Sequence, residues 1–270
     1  MLNEIIINGR TIGSGKKPYI IAELSGNHQG DLQRALRLVD AAADAGADAI
    51  KLQTYTAETM TLNVDRPEFK VKGGPWAGKS LHDLYSEAST PWDWHEAIFA
   101  QAKKRNVDCF SSPFDPSAVD FLDKLSVPAF KIASFELVDL PLIKKAASKG
   151  KPLIMSTGIA NFKEIQDACT VAKTCSSAGF ALLHCISEYP TEAINMNLQA
   201  IPGLFSSFGV PIGLSDHSLG SSIAVAAVAL GATIIEKHIT LERDSGGVDA
   251  SFSLEPQEFK ELVQVCHQVH

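Results

Sequence analysis

The sequence predicts a (β/α)8 TIM barrel of the α/β class. Short aliphatic and β-branched runs recur along the 270-residue chain, and eight of them stop at a polar or ionisable residue: Glu23, Lys51, Ser112, Lys131, Ser156, His184, Ser215 and His238. Amphipathic helical patterns fill the gaps between those runs. Strands alternating with helices build a parallel sheet through right-handed crossovers, and eight repeats suffice to close it. The length fits a single catalytic domain over residues 1–270, since such barrels typically take ~250 residues. In a closed barrel the eight polar strand ends share the C-terminal rim, where this fold carries active sites.

Each element has its own signal. Residues 1–17 read as a hairpin, because Ile5-Ile6-Ile7 and Thr11-Ile12 flank Asn8-Gly9, a pair that readily takes positive φ. The hairpin is expected to plug the N-terminal end of the barrel. The first barrel strand is Ile20 to Glu23; Asp31 then caps a helix whose Leu32, Ala35, Leu36, Val39, Ala42 and Ala43 share a face, and Gly46 ends it. Further strands are Ala49 to Gln53, Cys109 to Ser112, Ala129 to Ile132, Leu153 to Ser156, Phe180 to His184, Ile212 to Ser215 and Thr233 to His238. Helical patterns run over Trp92 to Arg105, Pro116 to Leu125, Leu140 to Lys149, Phe162 to Ala178 and Ser221 to Leu230, and Pro256 opens the last. The sixth helix, Asn195 to Phe205, carries the weakest pattern because it contains Pro202-Gly203.

Residues 54–90 are too long and too rich in Gly, Pro and aromatic residues for an ordinary βα loop. Leaving the rim after the second strand, this insertion is expected to act as a lid or a substrate wall. Within it, Gly73-Gly74-Pro75-Trp76-Ala77-Gly78-Lys79-Ser80 fits the phosphate-loop pattern letter for letter. Pro75 removes an amide donor, and Glu68-Phe69-Lys70-Val71-Lys72 is not a buried strand, so the match reads as a decoy.

Composition excludes several function classes. A net charge of −7 argues against nucleic-acid partners and anionic membranes. No apolar run approaches the ~18 residues of a membrane span, and the acidic start Met1-Leu2-Asn3-Glu4 opens no export signal. Five cysteines, Cys109, Cys169, Cys175, Cys185 and Cys266, show no CxxC spacing and read as reduced thiols of a cytoplasmic protein.

Two constellations carry chemistry. His217, just past the seventh strand, and His238, at the end of the eighth, fall side by side on the rim and can hold a divalent metal with open positions for substrate. His28, His82, His95, His267 and His270 lack that context and are expected to face solvent; His184 supports a strand end. Lys51 and Lys131 lie inside apolar strands, where an unpaired cation is costly. Their partner is either a protein carboxylate such as Glu23 or Glu136, or an anionic ligand that also meets Ser112, Ser134, Ser156 and Ser215. No Gly-x-Ser-x-Gly elbow and no credible Cys–His pair appears.

Taken in order, Ile21-Ala22-Glu23, Lys51-Leu52-Gln53, Ser112-Pro113-Phe114, Lys131-Ile132-Ala133-Ser134, Ser156-Thr157-Gly158, His184-Cys185, Tyr189-Pro190-Thr191, Gly213-Leu214-Ser215-Asp216-His217 and Glu236-Lys237-His238 resemble the sialic acid synthase family over nearly the whole chain. Residues 73–81, Ser187-Glu188-Tyr189-Pro190, Asp249 and Phe252-Ser253-Leu254-Glu255-Pro256 are most similar to its pseudaminic acid synthase branch. The resemblance implies condensation of phosphoenolpyruvate with an acylated amino-sugar, for this branch 2,4-diacetamido-2,4,6-trideoxy-L-altrose, with release of phosphate. It implies that Lys51, Ser112, Lys131, Ser134, Ser156, Ser187 and Ser215 bind phosphoenolpyruvate, and that Gln53, Glu136, Tyr189 and Asp249 face the sugar. His217 and His238 would bind Mn2+, with Mg2+ or Co2+ as alternatives, and Glu23 would assist at the reacting carbons. The family usually continues into a C-terminal antifreeze-like domain that completes a partner's sugar site in a homodimer, whereas this sequence stops at Val269-His270. Three other readings stay open: a sialic or legionaminic acid synthase, an aldolase using Lys131 as a Schiff base, and a non-catalytic barrel that binds sugar or phosphoenolpyruvate.

Overall fold

In the computed structural model, which describes residues 4–270, β1 (Glu4–Ile7) and β2 (Arg10–Gly13) form the antiparallel hairpin. Asn8 and Gly9 make its turn at φ 47° and 82°, the conformation that favours this residue pair. Ile5, Ile7 and Ile12 are buried in the common core. The hairpin is fastened to the N-terminal ends of the barrel strands through Asn8 to Asp108 and Arg10 to Asp48.

Eight parallel strands follow: β3 (Tyr19–Glu23), β4 (Ala49–Thr54), β5 (Asp108–Pro113), β6 (Phe130–Ile132), β7 (Leu153–Ser156), β8 (Phe180–Cys185), β9 (Ile212–Asp216) and β10 (Ile234–His238). Each pairs with its neighbours in sequence, and β10 closes on β3, so the expected (β/α)8 barrel is present. The strands read as continuous apolar runs because one face fills the barrel and the other packs beneath helices. Gly213 marks the tightest interior position, where an added Cβ would lie 2.4 Å from the Ile234 carbonyl oxygen.

The helices begin where the caps expect them. Helix α1 (Leu32–Ala45) starts on Asp31, whose side chain accepts from the Gln33 amide, and ends at Gly46 with φ 92°. The insertion is not structureless: it holds α2 (Ala57–Met60), α3 (Leu81–Ala88) and two short 3-10 turns. Then come α4 (His95–Lys104), α5 (Pro116–Lys124), α6 (Leu140–Ala147), α7 (Phe162–Cys175), α8 (Ala200–Phe208), α9 (Ser222–Ala229) and α10 (Pro256–Val269). The sixth crossover helix starts later than the sequence suggests, at Ala200. That shift puts Pro202 in the first turn, where a helix has no carbonyl for its N–H to reach and proline loses nothing. Helix α7 stops at Cys175 because Ser176 turns extended, φ −100° and ψ 129°.

Two histidines expected to face solvent are buried instead. His95 Nδ1 donates to the Pro91 carbonyl and its Nε2 accepts from Thr54 Oγ1 at 2.8 Å, which ties the two ends of the insertion together. His28 Nε2 meets Thr90 Oγ1 at 3.3 Å. Burial lowers both pKa values, that of His28 to about 4, so both rings stay neutral. His28 belongs to no apolar sequence pattern, so only the packing of distant loops buries it, whereas His95 shares the buried face of α4 with Ile98 and Ala102.

Candidate active site

Strand alternation sends every second side chain into the barrel, and the inward set at the C-terminal end is ionic. From β4, Lys51 Nζ reaches Glu23 Oε2 on β3 at 2.6 Å and Glu236 Oε1 on β10 at 2.9 Å. From β6, across the barrel from β10, Lys131 comes within 3.4 Å of the same Glu236 oxygen. Ser215 Oγ donates to it as well, at 3.2 Å. Glu236 is therefore the hub of the charge network, and Glu136, one of the two carboxylates expected there, is not paired with either lysine. Strand periodicity signals Glu236, since it shares the inward face with His238 two residues on; Lys237 points outward to a buried ion pair with Asp216.

Burial sets the titration of these groups. It pushes Lys51 down to about 8, reinforced by the Lys131 charge and opposed by Glu236. Burial alone would raise Glu236, but Lys131 and Lys51 outweigh it and hold the carboxyl ionised. Glu136 lies in the turn after β6 with Oε2 unpartnered, and burial raises its carboxyl to about 7.

Facing the lysines is a set of hydroxyls. Ser112 Oγ and Ser156 Oγ are buried and have no hydrogen-bond partner. Ser134 Oγ accepts from the Gly158 amide at 3.1 Å, and a Cβ on Gly158 would come within 2.5 Å of Ser187 Oγ and 2.8 Å of Ser134 Oγ. Glycine at 158 is therefore required for these two serines to converge. Buried polar atoms without partners are rare in folded proteins, and hydroxyls of this kind beside two lysines have the chemistry to hold an anion.

The other half of the mouth is aromatic. The His217 and His238 rings lie 5.4 Å apart, with Phe252 5.1 Å from His238 and Tyr189 4.4 Å from His217. His217 Nδ1 donates to the Ile186 carbonyl at 2.9 Å, leaving Nε2 with a free lone pair, while His238 Nδ1 is buried without a partner. Burial is the largest cause that keeps His238 neutral, and the Lys51 charge reinforces it. No group of three or more His, Cys, Asp or Glu side chains arranged for a metal occurs among the described residues, so an ion bound here would take two imidazoles and leave its other positions open. Cys185 Sγ lies 4.0 Å from His217 Nδ1. The sequence showed no such pair because β8 and β9 bring it together; the imidazole, the Ser134 hydroxyl and Lys131 overcome burial and lower the thiol to about 7.

Between the halves, Glu23 Oε1 accepts from the Ser25 amide at 2.9 Å and from Gln53 Nε2 at 3.5 Å, and Ser25 Oγ donates to Asp249. Burial raises the Asp249 carboxyl. His184 points away and meets the Met196 carbonyl at 2.6 Å, supporting its strand end. The phosphate-loop match does not build a phosphate loop: Ser80 caps α3, Lys79 pairs with Glu87, and the element before it is the 3-10 turn Pro67–Phe69 rather than a barrel strand. Trp76 of that segment instead donates to the Val248 carbonyl at 2.6 Å and leans on Tyr189, which places the insertion over the mouth.

Residues 38–270 match the model of the NeuB family. The chain is 46% identical over 253 residues to the pseudaminic acid synthase of Campylobacter jejuni, an alignment covering 94% of this chain and 74% of that protein. It is 43% identical over 251 residues to the pseudaminic acid synthase of Helicobacter pylori, covering 93% and 74%. Among solved structures, the N-acetylneuraminic acid (sialic acid) synthetase of Leptospira borgpetersenii in complex with citrate superposes with a TM-score of 0.89 at 38% identity, covering 98% of this chain and 88% of that one.

Proposed function

The chain belongs to the NeuB family, and from that premise we propose that it condenses phosphoenolpyruvate with 2,4-diacetamido-2,4,6-trideoxy-L-altrose to give pseudaminic acid and phosphate. The observation that carries this reading is the division of one mouth into two halves, with buried lysines and unpartnered serine hydroxyls on one side and two imidazoles walled by aromatic rings on the other. A doubly functional anion fits the first half and an acylated sugar the second.

Family members are generally metal-dependent, and the donor set fits a divalent ion: both His217 and His238 carry a ring nitrogen that no protein group occupies and that binds a metal once the ring is deprotonated. We assign Mn2+, with Mg2+ and Co2+ as the alternatives. When bound, the ion supplies Lewis acidity to the aldehyde of the open-chain sugar. Lys51, Lys131 and the hydroxyls of Ser112, Ser134, Ser156, Ser187 and Ser215 hold phosphoenolpyruvate by charge-assisted hydrogen bonds. Gln53, Glu136, Tyr189 and Asp249 orient the sugar so that C3 of phosphoenolpyruvate adds to the aldehyde carbon. Water then adds to the electron-poor C2, Glu23 takes its proton, and the tetrahedral intermediate breaks its C–O bond while the lysines stabilise the leaving phosphate.

Exposed apolar side chains on the rim loops, Phe135, Val138, Ile159, Ile194 and Leu219, support a homodimer in which a second copy covers this end. No helix among the described residues is long and apolar enough to cross a membrane. All five cysteines are free, which supports a reducing compartment and so the cytoplasm.

The test is product mass spectrometry after incubation with phosphoenolpyruvate, Mn2+ and a panel of acylated hexoses. The expected result is the nine-carbon acid of the trideoxy altrose, with the bridging oxygen of labelled phosphoenolpyruvate recovered in phosphate. Turnover confined to the legionaminic or sialic precursor moves the protein to that branch. Borohydride trapping of a keto acid on Lys131 establishes an aldolase instead, and thermal stabilisation by phosphoenolpyruvate without phosphate release leaves a binding protein.

A further inference from the structure

The aromatic side of the mouth is arranged in tiers. Phe252 and Tyr189 sit against the imidazoles of His238 and His217, and Trp76 lies beyond them, 5.7 Å from the Tyr189 ring and 6.5 Å from Phe252. A sugar whose aldehyde is held at the imidazoles can extend outward along this wall toward Trp76. The indole carries one polar atom, Nε1, and its hydrogen is already given to the Val248 carbonyl at 2.6 Å. Trp76 is only partly buried, and with Nε1 committed to Val248 the rest of its ring offers only apolar surface. A methyl group placed there is removed from water against carbon, whereas a hydroxyl loses its water and finds no partner.

We infer that Trp76 is a specificity-determining residue that reads the far end of the sugar and favours a 6-methyl over a 6-hydroxymethyl group. The inference rests on the function proposed above. It makes the insertion a selective wall, with the Val248 bond fixing the orientation of the ring.

The experiment compares kcat/KM for 2,4-diacetamido-2,4,6-trideoxy-L-altrose and for its 6-hydroxy counterpart, using the full chain with Mn2+ and phosphoenolpyruvate. An apolar pocket discriminates against an added hydroxyl only moderately, so Trp76→Ala should lower the preference for the 6-deoxy sugar by roughly tenfold, with KM for phosphoenolpyruvate and Tm unchanged. Trp76→Phe loses the bond to Val248 but keeps an apolar ring, and should retain most of the preference. Equal loss for both sugars in Trp76→Ala would reduce the residue to a latch and overturn the inference, as would a wild type that does not distinguish them. Wild-type protein that makes no nine-carbon acid from either sugar overturns the functional reading itself, whereas an active wild type whose preference survives Trp76→Ala overturns only the role of Trp76.

Discussion

The two ends of the barrel use the same kinds of side chain in opposite ways. At the N-terminal end, Asp48 accepts from Arg10 and from the Ile20 amide, and Asp108 accepts from Asn8 and from Tyr19 Oη at 2.6 Å. At the C-terminal end, Ser112 Oγ, Ser156 Oγ, Glu136 Oε2, Glu236 Oε2 and His238 Nδ1 are buried without partners; at the other end, among the described residues, only His267 Nε2 is left so. An unmade bond to a buried polar group costs about 1–3 kcal/mol. Bonding capacity is left unused at one rim and largely consumed at the other, which separates the rim proposed to bind substrate from the end that holds the fold.

The sharpest way to break the comparison is at the imidazoles. His217→Ala or His238→Ala should abolish tight Mn2+ binding and lower kcat on the order of 10^3-fold, the scale of losing a main stabiliser of transition-state charge. The double variant should be little worse than either single one, because the pair acts as a unit. Thermal unfolding should stay near wild type; a collapse of Tm would make this rim structural after all.

Lys131→Ala should weaken phosphoenolpyruvate by about 2 kcal/mol or more, since it removes one side of a buried charge network. Calorimetric titration reads it, and unchanged affinity would remove Lys131 from the anion half. A pH profile tests the same half without a mutation at Lys131. Lys51 is charged below about 8 and neutral above it, so kcat/KM for phosphoenolpyruvate should be level near neutrality and fall above pH 8, approaching tenfold per unit. In Lys51→Arg, whose guanidinium does not deprotonate, that fall should disappear.

The smallest effect on activity belongs to the opposite end. Asp48→Ala removes the acceptor of the Ile20 amide and of Arg10 Nη1, and should lower stability by about 1–3 kcal/mol in denaturant titration with kcat/KM unchanged. Loss of turnover in folded Asp48→Ala protein would show that the two ends are coupled.

Much of the barrel was legible because each βα unit is a local object. Apolar runs of four to six residues, capping residues such as Asp31 and glycine stops such as Gly46 act over a few positions, and all eight strands formed where those signals lie. The sixth helix was displaced because Pro202-Gly203 obscured a first turn that tolerates both. Lys51 and Lys131 were legible for a related reason: a cation within an apolar strand demands a partner, whatever the partner is.

By itself the sequence determined the period of the strands, and so which residues point inward at the rim, because alternation is a property of the extended backbone. It also carried the order of motifs that relates this chain to its family. Only the tertiary structure decided who meets whom: that Glu236, rather than Glu136, joins the lysines of β4 and β6, that Cys185 reaches His217, that His28 and His95 are buried ties of the insertion, and that Trp76 comes to rest on Val248 and Tyr189. These contacts link residues tens to hundreds of positions apart. Closure of the barrel sets their distances, and no local pattern encodes a closure that depends on all eight strands at once.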